Sequence, residues 1–150
     1  AKEVGFEPKM ILSGRQTNEF VPHYISNNLL HDLKKKGIKY KDAQILILGL
    51  TFKEDCPDIR NSKVFDIIAD LKDYSIDIDV FDPYFIDKKI KNIKIVNIPK
   101  IDYYDSIIIA VGHNKFKNLG VDKIKSFGKQ KHILYDLKYV FNEDEVDLRL

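Results

Sequence analysis

Two almost wholly apolar runs, QILILGL at 44–50 and SIIIAVG at 106–112, constrain the fold more than any other feature of this chain. A strand whose successive side chains are all apolar is buried on both faces. That environment arises where helices cover both sides of a parallel sheet. Three further runs follow the same rhythm: IDIDVFD at 76–82, IKIVNI at 93–98 and HILYDL at 132–137. The alternation in IDIDVFD places that strand nearer a sheet edge. Between the first two runs, Val64, Ile67, Ile68 and Leu71 recur at helical spacing, with Asn61 or Ser62 as the expected N-cap. Strand–helix–strand alternation predicts right-handed βαβ units and an α/β fold with a mostly parallel sheet of five to six strands.

A different pattern precedes this block. From Ile11 to about Lys36, Leu12, Tyr24, Ile25, Leu29, Leu30 and Leu33 recur near the 3.6-residue period. Pro22 falls inside this helix and is expected to kink or restart it. Gly37 is suited to the position just past its end. A helix of this length would project beyond a small sheet. It reads as a connector or dimer helix, or as one covering its own core.

Composition narrows the function classes. The 25 basic and 23 acidic residues leave a net charge of +2, too balanced to favour nucleic acid or an anionic membrane as partner. One cysteine excludes an internal disulfide and suits a reducing compartment, so the cytoplasm is expected. No stretch approaches 18 consecutive apolar residues. His23, His31, His113 and His132 lack metal-ligand spacing, and no metal is expected.

Open parallel sheets bind ligands beyond the carboxyl ends of their strands. The segments to search are therefore TFKEDCPDIRNS after the first run, DPY at 82–84, GHNKF at 112–116 and DLKYVF at 136–141. Lys53, Arg60, His113 and Lys138 could converge there. Lysine and arginine beside a helix N-terminus make an anion site, and phosphate is the commonest such anion. The residues alone thus predict an α/β domain for a phosphate-bearing ligand.

The stretch GLTFKEDCPDIRNSKV resembles the G-x-x-F-K-x-x-x-x-D-x-R-x-S segment of the UDP-glucose/GDP-mannose dehydrogenases. Its PDIRNSKV wording resembles the branch that oxidises UDP-N-acetylhexosamines for surface polysaccharides. ILSGRQTNEFVPHYI resembles that family's central, dimer-forming helix. IDVFDPY, AVGHNKF and YDLKYVF resemble its later strand ends, so the likeness runs nearly end to end and in order. It implies a Rossmann-like three-layer domain preceded by a long helix. Residues 1–40 would be the central dimerisation helix, and 41–150 the C-terminal domain that binds the nucleotide sugar. The family's NAD-binding domain and its nucleophilic cysteine, in a G-x-G-G-x-C segment, would precede Ala1. Cys56 stands in a different motif. The implied activity is oxidation of the sugar C6 alcohol to a carboxylate, with two NAD and a cysteine-bound intermediate. This chain alone would be inactive. A stand-alone nucleotide-binding or dimerisation module is the alternative.

The resemblance also assigns roles. Lys53 matches the lysine that reaches the UDP-sugar, against a solvated loop lysine. Phe52 matches the aromatic beside it, against a core anchor. Arg60 matches an arginine that approaches NAD, with Asp58 orienting it; an ion pair between the two is the simpler reading, and both can hold at once. Lys138 stands where the family often has an arginine toward the diphosphate, and lysine offers charge without the fork. Arg15 and Asn18 match polar positions that reach the partner subunit's substrate, or form a helix surface pair. Ser62 and Cys56 read as an N-cap and a structural thiol.

Overall fold

The computed structural model describes residues 9–86 and 88–150, with residues 9–17 as helix backbone alone. Helix α1, Lys9–Lys35, packs on helix α2, Val64–Lys72. The strands are β1 (Gln44–Leu48), β2 (Asp77–Phe81), β3 (Lys94–Ile95), β4 (Tyr104–Ile109), β5 (Gly128–Asp136) and β6 (Leu148–Arg149). Two short helices, α3 (Asn114–Leu119) and α4 (Val121–Lys125), lie between β4 and β5. All strand pairs are parallel, and their order across the sheet is β3-β2-β1-β4-β5-β6.

This order explains the two apolar runs. β1 and β4 are the central pair, with Ile45 opposite Ser106 and Leu48 opposite Ile109. One sheet face, through Ile45, Ile47, Val80 and Ile108, packs with Ile25, Leu29 and Leu33 of α1 and with Ile67, Ile68 and Leu71 of α2. The other face, through Leu46, Leu48, Ile107 and Ile109, packs with Phe116 and Ile124 of α3 and α4. The result is three layers, with alternate residues of one strand feeding opposite cores. Each fully buried Ile or Leu contributes roughly 1.5–3 kcal/mol, so these strands are the cohesive centre of the domain.

Several local expectations need correction. α1 runs unbroken through Pro22 rather than restarting there, because Ile25, Leu29 and Leu33 anchor its following turns in the core. The hydroxyl of Ser26 donates to the Pro22 carbonyl at 3.1 Å. The helix ends as its glycine predicts: Gly37 adopts φ +74°, its N–H meets the Lys34 carbonyl, and the Ile38 N–H meets that of Leu33. At α2 the capping position falls to Lys63, without a side-chain cap. Ser62 instead accepts the Val64 N–H from two residues back, at 3.4 Å. β3 spans two residues rather than the six of its apolar run, as befits an edge strand with a single partner. β6 lies in EVDLRL, a segment with no strand-like run of its own. Among the described residues no helix is long and apolar enough to cross a membrane. No group of His, Cys, Asp and Glu among them could hold a metal ion.

Candidate functional site

With this strand order the chain reverses direction across the sheet between β1 and β4, and their carboxyl ends open a crevice there. The two ends approach closely at Gly49. Its φ is +96°, and a β-carbon built on it would lie 2.5 Å from Val111 Cβ, so glycine is required. The loop 50–62 leaves from this point.

A buried network fixes the start of that loop. Asp82, at the end of β2, accepts the N–H groups of Leu50 at 2.6 Å and Thr51 at 3.3 Å on Oδ2, and that of Tyr84 at 2.8 Å on Oδ1. His113, at the end of β4 and fully buried, sets Nε2 3.1 Å from the same Oδ2 and 3.2 Å from Thr51 Oγ1. Its Nδ1 accepts the Asp55 N–H at 2.9 Å. Burial opposes ionisation of Asp82, but the imidazole and the N–H donors outweigh it and hold the carboxyl below the usual range. Asp55 in turn accepts the N–H of Asn114 at 3.1 Å and the hydroxyl of Tyr84 at 3.4 Å.

The far side of the loop is held separately. The Phe52 N–H donates to the Asp58 carbonyl at 2.7 Å. Arg60 donates through Nε at 3.0 Å and Nη2 at 2.9 Å to the two oxygens of Asp58, and its N–H also bonds Oδ1. This fork lowers Asp58 to about 2 and raises Arg60. The pair is open to water, with the Arg60 side chain 85% exposed. Its ordered shape matters more than its energy, since exposed pairs add little stability.

Beside the loop lies a cleft of about 250 Å³. Val21 and Ile25 of α1, Ile67 of α2, Ala110, Val111 and Leu137 supply its apolar walls. Asn18, Thr51, Phe52, Asn61, Lys63 and Lys138 supply polar and aromatic edges. An apolar wall with a few placed polar groups suits a small ligand, although the volume is at the low end of the roughly 300–1,000 Å³ typical of such pockets. Lys138 is aimed by the turn after β5, where the buried Asp136 accepts the N–H groups of Lys138 and Phe141, each at 3.0 Å.

The structure brings together Phe52, Lys138 and Asn18, three of the residues singled out from the sequence, at this cleft. Phe52 is 53% exposed, so it is no core anchor. Lys53 is outside the lining. Its ammonium stands 5.6 Å from the Phe52 ring centroid, a cation–π contact on the exposed side of the loop. Arg60 is also outside the cleft, and the side chain of Arg15 lies outside the described residues. The expected convergence of Lys53, Arg60, His113 and Lys138 on one mouth is therefore not found: Lys138 alone lines the cleft, and His113 lies beneath the loop, not in the opening.

The sequence profile described as "UDP-glucose/GDP-mannose dehydrogenase family, UDP binding domain" matches residues 46–143, which take in the crevice, the loop and the Lys138 turn. The chain belongs to the UDP-glucose/GDP-mannose dehydrogenase family. Two UDP-N-acetyl-D-glucosamine 6-dehydrogenases, of Salmonella typhi and Pseudomonas aeruginosa, are each 44% identical to it, over 98% and 100% of this chain. The alignments cover 35% and 36% of those relatives, so the chain spans about a third of their length. The fold likeness extends to solved members. The UDP-D-ManNAc dehydrogenase from Pyrococcus horikoshii aligns with TM-score 0.77 and 24% identity, over 96% of this chain and 34% of that one. The NDP-N-acetyl-D-galactosaminuronic acid dehydrogenase from Methanosarcina mazei aligns with TM-score 0.79 and 23% identity, over 89% and 28%.

Within this UDP binding domain, sequence reasoning missed two things. It placed His113 among the residues that could converge on the site, without seeing that it links three strand ends. Its partners are separated by 31, 58 and 62 residues, and no local pattern signals that. It also missed Asn61 and Lys63 as cleft residues, because the turn into α2 reads as capping alone. The available signal was Ser62, the last position of the F-K segment, which stands between them.

Proposed function

We propose that this chain is the nucleotide-sugar-binding part of an NAD-dependent dehydrogenase. Its substrate would be a UDP-N-acetylhexosamine, or UDP-glucose, oxidised at C6 to the uronic acid for surface polysaccharide. The observation that carries this reading is the cleft at the β1–β4 crevice, lined by the F-K loop, α1 and the Lys138 turn, in a chain whose UDP binding domain match covers residues 46–143. Residues 41–150 form most of the binding unit in this reading, with α1 lending one wall of the cleft, and residues 1–40 the central helix through which two copies pair in the cytoplasm.

The residues divide the work by chemistry. The apolar wall of Val21, Ile25 and Leu137 takes the flat base, and Phe52 closes over it. Lys138 supplies positive charge to the diphosphate with Asn18 at its edge, and Lys53, on the exposed side of the loop, meets the part of the ligand that extends beyond the cleft. A cleft this small holds part of a nucleotide sugar, and the rest would lie against a part of the longer protein outside this chain, where the nucleophilic cysteine is expected. Binding energy gathered at the base and diphosphate holds the reacting carbon in place. NAD, when bound, supplies the hydride acceptor. The chain's fit to NAD is limited to one edge: Asp58 occupies Nε and Nη2 of Arg60, leaving its remaining N–H groups for an anionic partner. Asp58 keeps that edge turned outward.

Calorimetric titration of UDP into the complete protein tests the reading. Saturable binding is expected, weakened about tenfold or more by Lys138→Ala, in line with roughly 1.5–3 kcal/mol for a hydrogen bond to a charged group, and by Phe52→Ala, in line with about 1–3 kcal/mol for a base stacked on an aromatic ring. Wild-type protein that neither binds UDP nor forms NADH from a UDP-N-acetylhexosamine would overturn it.

A further inference from the structure

Two bonds to one buried ring, and a third within the loop, hold the segment on which Phe52 and Lys53 ride. Asp55 donates its N–H to His113 Nδ1, Thr51 Oγ1 lies 3.2 Å from Nε2, and the Thr51 hydroxyl donates to the Lys53 carbonyl at 2.9 Å. The donors fix the tautomer. Nδ1 faces an N–H at 2.9 Å, while the nearest Asp55 carboxylate oxygen is 3.6 Å away, too far for a good hydrogen bond. Nδ1 therefore accepts, and the ring proton sits on Nε2. Because the Thr51 hydroxyl hydrogen is committed to Lys53, Thr51 Oγ1 accepts there too. The Nε2 proton is thus shared between Asp82 and Thr51. Tyr84 and Phe116 flank the ring, at 5.2 and 5.4 Å between centroids, and keep it from turning.

Asp55 itself adopts φ +52°, a left-handed conformation uncommon outside glycine that aspartate tolerates better than most residues, and here its bonds constrain it to that shape. The Asp55 N–H bond to His113 and the Asp55 carboxylate bonds to Asn114 supply that constraint. We propose that His113 is a positioning residue for nucleotide binding: as a neutral acceptor at Nδ1 it holds Thr51–Asp55, and with it Phe52 and Lys53, in the shape that meets the ligand. This inference rests on the nucleotide-binding reading above and adds to it a residue that never touches the ligand. A loop held in its bound shape before the ligand arrives binds more tightly than one ordered at that moment.

Two conservative variants separate positioning from mere filling of the core. His113→Asn can put Oδ1 where Nδ1 stands and keep the Asp55 N–H, while losing the reach to Asp82. His113→Gln can reach Asp82 and cannot replace the acceptor at Nδ1. In the complete protein, amide hydrogen exchange of residues 51–55 and calorimetric UDP affinity are measured for both. The expected result is faster exchange and about tenfold weaker UDP binding for His113→Gln, with His113→Asn within about threefold of wild type on both. Thr51→Val provides a second arm should the glutamine variant fail to fold. It keeps the shape, breaks the bridge to the Lys53 carbonyl, and is expected to loosen the loop and weaken UDP severalfold. Wild-type affinity in a folded glutamine variant, or in Thr51→Val where the glutamine variant does not fold, or an asparagine variant weaker than the glutamine one, would overturn the role of His113 while leaving the site reading intact. A wild-type protein that binds no UDP would overturn both.

Discussion

Gly49 and Val111 mark the closest approach of the β1 and β4 ends: a β-carbon on Gly49 would sit 2.5 Å from Val111 Cβ and 2.9 Å from its backbone nitrogen. The obstacle is backbone and a β-branched side chain, neither of which can swing away. Gly49→Ala combines that overlap with a φ of +96° that L-residues resist. Overpacking costs about 1–3 kcal/mol and the backbone strain about 1–2 kcal/mol. A loss of roughly 2–5 kcal/mol is expected, read as a lowered urea midpoint at unchanged slope. A change below about 0.5 kcal/mol would mean that the strand ends separate freely, and that the crevice is not rigid.

The Asp58–Arg60 fork yields a prediction about binding without one about stability. Both side chains are open to water, so Arg60→Ala and Asp58→Ala should leave the thermal midpoint nearly unchanged. If Arg60 meets NAD, Arg60→Ala raises KM for NAD about tenfold or more, and Arg60→Lys recovers little because the fork is lost. Asp58→Ala should add nothing in the Arg60→Ala background, since it acts only by holding the arginine. Additive effects in that double-mutant cycle would give Asp58 a separate role.

The layers of this fold were legible because burial on both faces leaves a mark in composition. QILILGL and SIIIAVG became the central pair β1 and β4, and the α2 stripe of Val64, Ile67, Ile68 and Leu71 became its buried face. β6 was not legible, since Leu148 and Arg149 join the sheet through pairing with Tyr135 and Asp136 rather than through a pattern of their own. Of the site, Phe52, Lys138 and Asn18 were found by motif and meet at the cleft. The network around His113 was not, because its partners come from loops remote in sequence. Nor could the sequence tell that Lys53 stacks against Phe52 outside the cleft, a matter of loop shape alone.

Tyr135 offers a test of polar burial. Its ring is fully buried on the α1 face of the sheet, and its hydroxyl makes no hydrogen bond of good geometry, although Asn28 lies alongside. Burial raises its pKa and keeps the hydroxyl neutral. An unsatisfied buried hydroxyl costs about 1–3 kcal/mol of desolvation. Tyr135→Phe is therefore expected to be neutral or to stabilise by up to about 1 kcal/mol in denaturant unfolding. A loss greater than about 1 kcal/mol would mean that the hydroxyl finds Asn28 or a water molecule in solution.

Acid should loosen the C-terminal edge through Asp147. This carboxylate accepts the Leu134 N–H at 2.8 Å and meets Lys36 at 2.5 Å, tying the segment before β6 to β5 and to the end of α1. Burial opposes its ionisation, yet the Leu134 N–H and Lys36 outweigh that and hold it below the ordinary value of 3.8. The sign follows from linkage. Below its usual value the unfolded chain binds the proton first, so stability falls as pH falls. The contribution is complete above the unfolded value, declines below it, and is lost once pH passes through the depressed folded value. Asp147→Asn keeps the shape but removes this linkage. Its stability should be lower than wild type near neutrality and should change less between pH 5 and 3. Asp82, also depressed, remains to give both proteins a shared acid slope. Urea midpoints across that pH range decide it: parallel curves for the two proteins would mean that Asp147 titrates alike in the folded and unfolded chains.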